Sequence, residues 1–200
     1  MKVEVAGPEH FEALARLFEA CSSSCYCAYW HFEGTKNEWL DRCAHRPGEN
    51  ADELRARLAE GRAGLVAVEP VRAADGRNEG EGERVIGWMK LVPRARLPKL
   101  RRLPVYRALD LGPEDTTLSV GCFLVDPASR RRGVARAMLA AAERFAREWG
   151  ARAIEGYPRR SAEPLHDEEA WQGPERLFVE LGWAPVHDVA PYPVYRKGVG

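Results

Sequence analysis

The chain has 200 residues, with 30 Lys+Arg against 30 Asp+Glu and a hydrophobic share of 45%. That length suits one domain with a substantial core, and the mixture of apolar and charged residues excludes an intrinsically disordered chain. A formal net charge of +0 excludes bulk electrostatic capture of nucleic acid, and no apolar run reaches the roughly eighteen residues of a membrane span.

Met1-Lys2-Val3-Glu4-Val5 alternates as a strand rather than opening as a signal peptide, so the expected setting is the cytoplasm. Gly7-Pro8 opens a helix whose apolar face is Phe11, Leu14, Phe18 and Cys21. A second helix is expected from Asn50, whose side chain caps while Glu53 answers three residues on, with Leu54 and Leu58 facing inward. Residues 64–68 and 85–92 read as strands of a hairpin, joined by a long mobile loop over 72–82. Residues 93–109 carry Arg94, Arg96, Lys99, Arg101, Arg102 and Arg107 and no acid before Asp110. Pro93, Pro98 and Pro104 argue against regular structure there, leaving a solvated excursion or a cationic wall beside an anionic ligand. Residues 116–125 form a buried strand by composition. A helix follows over about 132–149, with Val134, Met138, Ala142, Phe145 and Trp149 on one face. A strand over 152–157, a helix over 175–181 and a closing hairpin over 183–186 and 192–195 complete the order. That order predicts an α/β fold with one mixed sheet.

The chemistry concentrates in Leu124-Val125-Asp126-Pro127-Ala128-Ser129-Arg130-Arg131-Arg132-Gly133-Val134-Ala135-Arg136. A strand ends, a basic loop turns, and a long helix begins. Helix N-termini present unpaired N–H groups and the positive end of the dipole, so they bind anions. Gly133 and Ala135 keep side chains out of the way, and four arginines add charge, so a pyrophosphate is the natural guest. Neither the dinucleotide fingerprint nor the Gly-Lys-Ser/Thr of a nucleotide P-loop is present.

Arg130-x-x-Gly133-x-Ala135 after a Val-Asp-Pro strand end resembles the acetyl-CoA motif of the GNAT N-acetyltransferase superfamily. Residues 175–183 are similar to that family's last helix and its Leu-Gly-aromatic exit. The resemblance covers almost the whole chain, residues 1–200 as one domain. It implies a mostly antiparallel central sheet of about seven strands flanked by helices, and N-acetyl transfer from acetyl-CoA to a primary amine. It further implies that Phe123, Leu124 and Val125 pair with the pantetheine arm, one of their N–H groups polarising the thioester carbonyl. The amides from Arg131 to Ala135, Arg132, Gly133 and Val134 included, would hold the pyrophosphate, with Arg130 and Arg136 beside it. Two of the family's common catalytic groups are missing: Ser119 stands near the place of a fourth-strand glutamate, and Phe178 replaces a last-helix tyrosine. Glu155 and Tyr157, two apart and so on one strand face, are the expected base and proton donor, with His31 as a fallback base.

Cys21, Cys25, Cys27, Cys43 and Cys122 are an odd number of cysteines, expected to be reduced. Four lie within 21–43, beside Tyr26, Tyr29, Trp30 and His31. Tetrahedral zinc is one reading, but the spacing matches no recognised zinc motif; thiols packing as small hydrophobes is the other. The segment is similar to a Cys/Trp-rich stretch in a bacterial group of the same family that shares Glu-x-Tyr-Pro at 155–158. Cys27, Tyr29, Trp30 and His31 are therefore expected to wall an acceptor pocket for a small-molecule amine. The expected partners exclude nucleic acid and membrane, and the expected state is a monomer or homodimer. A non-catalytic acyl-CoA-binding or sensor domain is the alternative from another class.

Overall fold

In the computed structural model the described residues are 1–72, 78–107, 109–163, 165–166 and 169–200. Strands β1 (Lys2–Val5), β2 (Gly64–Arg72), β3 (Asn78–Pro93), β4 (Thr117–Val125), β5 (Ala153–Gly156), β6 (Ala184–His187) and β7 (Val194–Gly198) form one seven-stranded sheet. Its order is β1-β2-β3-β4-β5-β7-β6, and only β4 and β5 run parallel. The helices are α1 (Phe11–Ala20), α2 (Lys36–His45), α3 (Pro47–Glu60), α4 (Pro98–Arg102), α5 (Pro104–Arg107), α6 (Val134–Glu148) and α7 (Glu175–Glu180). No helix among the described residues is long and apolar enough to cross a membrane.

Strand alternation splits the apolar residues between two faces. Leu65, Ala67, Ile86 and Met89 meet Val134, Met138, Leu139 and Ala142 of α6. Val66, Val68, Val85 and Trp88 turn the other way, onto Leu14 and Phe18 of α1 and Leu54 and Leu58 of α3. A third cluster beyond the end of β3 joins Trp30, Val92, Leu97, Leu100, Tyr106, Tyr157 and Val194. Each fully buried Leu, Met or Phe contributes about 1.5–3 kcal/mol relative to exposure.

Several sequence expectations change. The hairpin strands run further than their periodicity suggests, with Arg72 opposite Asn78; the remainder of the expected loop, residues 73–77, lies outside the described residues. Asn50 caps nothing: α3 begins at Pro47, and the buried Asn50 amide donates to the Ser24 carbonyl at 3.0 Å. The proline-bearing segment is not a solvated excursion. Pro98 and Pro104 each open a short helix, where a missing N–H costs little, and Arg94, Leu97, Leu100 and Tyr106 are buried. The cysteines are not all reduced, because Cys27 is bonded to Cys122 across 95 residues.

The Phe178 ring of α7 lies directly on Gly156 at the end of β5, in the space a Cβ would take. Gly156→Ala should therefore overpack this contact and destabilise the fold by about 1–3 kcal/mol, read as a lowered urea midpoint with an unchanged m-value.

Candidate functional site

Parallel pairing of β4 with β5 lasts four residues, from Thr117↔Ala153 to Val120↔Gly156. Two local features then end it. β4 takes three steps from Val120 to Phe123 while β3 takes two from Leu91 to Met89, so β4 bulges at Gly121 and Cys122. On β5 the chain reaches Tyr157-Pro158, and proline has no N–H to extend a ladder. The strands part and leave a cleft of about 770 Å³. One wall is Phe123, Leu124, Val125, Arg130, Arg131, Gly133, Val134, Ala135 and Arg136; the facing wall includes Trp171, Gly173, Leu177 and Glu180.

The loop into α6 is built on backbone that side chains rarely adopt. Arg131 and Gly133 both have positive φ, 60° and 81°, and Asp126 holds the preceding turn by accepting from the Ala128 N–H at 2.9 Å. Gly133 is the N-cap of α6, and a Cβ there would meet nothing within 4 Å. Open space therefore lies beside the unpaired N–H groups and positive dipole end of a 15-residue helix. The arginines divide their work. Arg130 donates to the Val125 carbonyl at 3.3 Å, and Arg136 pairs with Glu180 of the opposite wall. Arg132 differs from its expected role: it turns away to Glu69 at 2.8 Å and does not line the cleft.

The backbone of β4 also sorts by side. Asp126 N–H donates to the Ile86 carbonyl, and Leu124 stands opposite Trp88, so the even-numbered residues here face β3. Phe123 and Val125 face the cleft. The expectation that Leu124 offers its backbone to a ligand is corrected accordingly. The Phe123 N–H is already engaged, donating to the Trp171 carbonyl at 2.6 Å.

Glu155 and Tyr157 do share a strand face, but it is a closed one. Both are fully buried, and neither lines the cleft. Arg94 donates to both carboxylate oxygens of Glu155 at 3.0 and 2.9 Å, and Arg196 Nε donates at 2.8 Å. The Tyr157 hydroxyl donates to Glu155 at 3.0 Å and so accepts from Ser119, 2.7 Å away. Burial, reinforced by the Glu155 charge, pushes the Tyr157 phenol well above its usual range. Both residues are thus held in a buried ionic network, which corrects the roles of base and proton donor expected for them. Arg94 was visible as part of an acid-free basic run; that its target is Glu155 was not.

The cysteine–aromatic segment also packs inward. Trp30 is buried and donates its indole N–H to the Gly121 carbonyl at 2.7 Å. Buried Cys27 is in the disulfide, and Trp88 Nε1 lies 3.1 Å from its sulfur. Tyr29 packs edge-on against Trp30, Trp39 and Trp171. Burial, with the neighbouring Lys90 and Arg57 cations, drives the His31 pKa down to about 2, so its imidazole is neutral. None of the four lines the cleft, and the cluster touches its wall through Trp171. The zinc alternative also loses its donor set: Cys27 is spent in the disulfide, and no three potential ligands converge among the described residues. Sequence reasoning missed Arg196, Lys90 and Trp171 altogether, since each acts through a contact distant in the chain.

Two predictions follow from these buried groups. Glu155→Ala leaves two guanidinium groups around a vacated carboxylate site and should cost about 3–5 kcal/mol, measured by chemical denaturation. His31 has its folded pKa depressed below the unfolded value, so the unfolded chain binds the extra proton between about pH 2 and pH 6.5. The stability it contributes is full above that window and falls as pH falls through it, by up to about 1.4 kcal/mol per pH unit. His31→Gln should flatten the stability–pH curve between about pH 3 and 6 relative to the parent chain.

Residues 37–169 match the sequence profile of the Acetyltransferase (GNAT) family. No curated protein sequence is a significant match. Among solved structures, a GCN5-related N-acetyltransferase from Kribbella flavida aligns at 19% identity over 98% of this chain and 96% of that one, with a TM-score of 0.53. PaiA N-acetyltransferase from Thermoplasma acidophilum, solved in complex with coenzyme A, aligns at 12% identity over 99% of both chains, TM-score 0.53. An aminoglycoside 6'-acetyltransferase type Ii aligns at 13% identity over 100% of this chain and 98% of that one, TM-score 0.54. At these identities the likeness is one of fold.

Proposed function

Since the chain belongs to the GNAT acetyltransferase family, we propose that it transfers the acetyl group of acetyl-CoA to a primary amine, of a small molecule, by direct attack on the thioester. The observation that carries this reading is the cleft between the parted strands, with the α6 N-terminus and the open space at Gly133 at one side. The residues fit an anionic, elongated co-substrate. Arg131 lines the cleft with no ion pair of its own among the described residues, and the N–H groups after Gly133 suit a pyrophosphate. The pantetheine arm would then run along the cleft-facing backbone of Phe123 and Val125.

In the reaction, the amine nitrogen bonds to the thioester carbon, the C–S bond breaks, and the electron pair leaves on sulfur. The carbonyl oxygen gains charge on the way, and a backbone N–H directed at it is the natural stabiliser. Phe123 N–H supplies that donor once the Trp171 carbonyl yields it. Of the three cleft carboxylates, Glu175 is held by Arg160 and the Tyr195 hydroxyl, Glu180 by Arg136, and Glu163 is exposed with no ion pair among the described residues. Positioning by backbone, with water taking the amine proton, is the mechanism proposed. Trp171 would give the acceptor an aromatic wall, backed by Tyr29 and Trp30.

The engaged Phe123 N–H favours a second reading, a domain that binds acyl-CoA without turning it over. Release of free thiol from acetyl-CoA across a panel of amines separates the two: amine-dependent release supports transfer, and background release despite tight binding supports the sensor. Gly133→Glu would fill the space at the α6 N-terminus with a carboxylate. Acetyl-CoA affinity should fall at least about 100-fold by calorimetry while the circular dichroism spectrum stays that of the parent. Unchanged affinity in the folded variant would remove the co-substrate from this loop.

A further inference from the structure

Four of the five cysteines meet behind the β4 bulge, and acyl transfer uses none of them. The Cys27–Cys122 disulfide is buried, at 5% and 4% exposure, so a reductant in solution has little access to either sulfur. Of the three half-buried free thiols, Cys25 stands next to it and Cys43 next to Cys25. Cys25 Sγ accepts the N–H of Cys27 itself at 3.4 Å and lies 3.3 Å from Ser23 Oγ. Cys43 is approached by the Asn50 amide at 3.7 Å, and its thiol is pushed up by burial and by the adjacent Cys25.

Lys90 lies behind the group, its side chain fully buried and its Cδ close against Gly121 of β4. Burial, with Arg57 adding, lowers its pKa to about 7, and Cys25 is among the charges acting on it. Thiolate is the form that attacks a disulfide.

We propose that Cys25 and Cys43 are an internal dithiol that exchanges with the Cys27–Cys122 disulfide and connects it to thiols and disulfides in solution. Cys25 loses its proton to solvent. Its sulfur then bonds to Cys27 Sγ, the Cys27–Cys122 bond breaks, and Cys122 leaves with the electron pair and takes up a proton. Cys43, losing its proton to solvent, attacks Cys25 Sγ; a Cys25–Cys43 bond forms and Cys27 departs as a thiol once protonated. Two thiols and one disulfide enter, and two thiols and one disulfide leave, so no external oxidant is needed. Exchange with a small thiol such as glutathione begins at the half-buried pair. Opening the buried bond frees Cys122, which sits between Gly121, held by Trp30, and Phe123, whose N–H faces the cleft.

The test is disulfide mapping of the full-length protein by mass spectrometry after rapid alkylation, across a series of glutathione redox buffers. A Cys25–Cys43 linkage with free Cys27 and Cys122 is expected at intermediate poise. Loss of the Cys27–Cys122 bond should be at least tenfold faster in the parent than in Cys25→Ser or Cys25→Ala. Equal rates in the parent and a folded Cys25 variant would overturn the proposal. So would absence of the Cys25–Cys43 linkage at every poise, a result that needs no variant. Neither readout involves acetyl transfer, so the exchange stands or falls independently of the transferase reading.

Discussion

Four residue pairs of parallel strand, followed by a forced separation, are the constraint on which the rest of the molecule depends. Had β4 and β5 stayed paired to Val125, the sheet would be continuous and no cleft would exist. The separation has causes on both sides: an extra residue in β4, a proline after β5, and the Phe178 ring seated on Gly156. An unpaired strand edge inside a fold needs partners for its N–H and C=O groups. Among the described residues the structure supplies three: the Trp171 carbonyl for Phe123, and the Arg130 guanidinium and the Cys21 thiol for Val125. The cleft is therefore a place where backbone hydrogen bonding is left to side chains and to a crossing segment.

Below the separation the sheet is braced by charge. Glu155 could not be buried alone, because an isolated carboxylate in an apolar interior is far too costly. Two guanidinium groups and a phenol satisfy it, and the guanidiniums also donate to the carbonyls of Leu111 and Gly112. Arg94 arrives there directly off the end of β3, in the single turn Arg94–Arg96, and the short proline-started helices α4 and α5 that follow bury Leu100 and Tyr106 beside Tyr157. A segment that reads as loose surface is thus the outer half of a buried ionic lock. Such a lock specifies geometry more than it adds stability.

The contrast between what was legible in the sequence and what was not follows the range of the interactions. The 124–136 stretch was readable because strand end, turn and helix start are each decided by neighbours. The α6 face and the alternation of β2 and β3 were readable for the same reason. Thr35-x-x-Glu38 was a local signal too, a capping box that opens α2, and it was overlooked because α2 buries no residue behind it. Spacing placed Glu155 and Tyr157 on one face, but whether that face met solvent depended on Arg94 and Arg196, 61 and 41 residues away. The Cys27–Cys122 pairing spans 95 residues, and connectivity of that kind cannot be deduced from cysteine counts.

The position of β7 within the sheet carries a consequence for how the chain comes into being. The strand nearest the C-terminus is not at the sheet's edge but between β5 and β6, and it delivers Arg196 to Glu155. Until residues 194–198 have been made, β5 has an unpaired flank and Glu155 lacks one of its two cations. The β2–β3 hairpin can pair early, since its strands are close in the chain, but β5 and β6 must wait for the strand between them. The last of the seven strands in chain order is thus the one that joins the second half of the sheet.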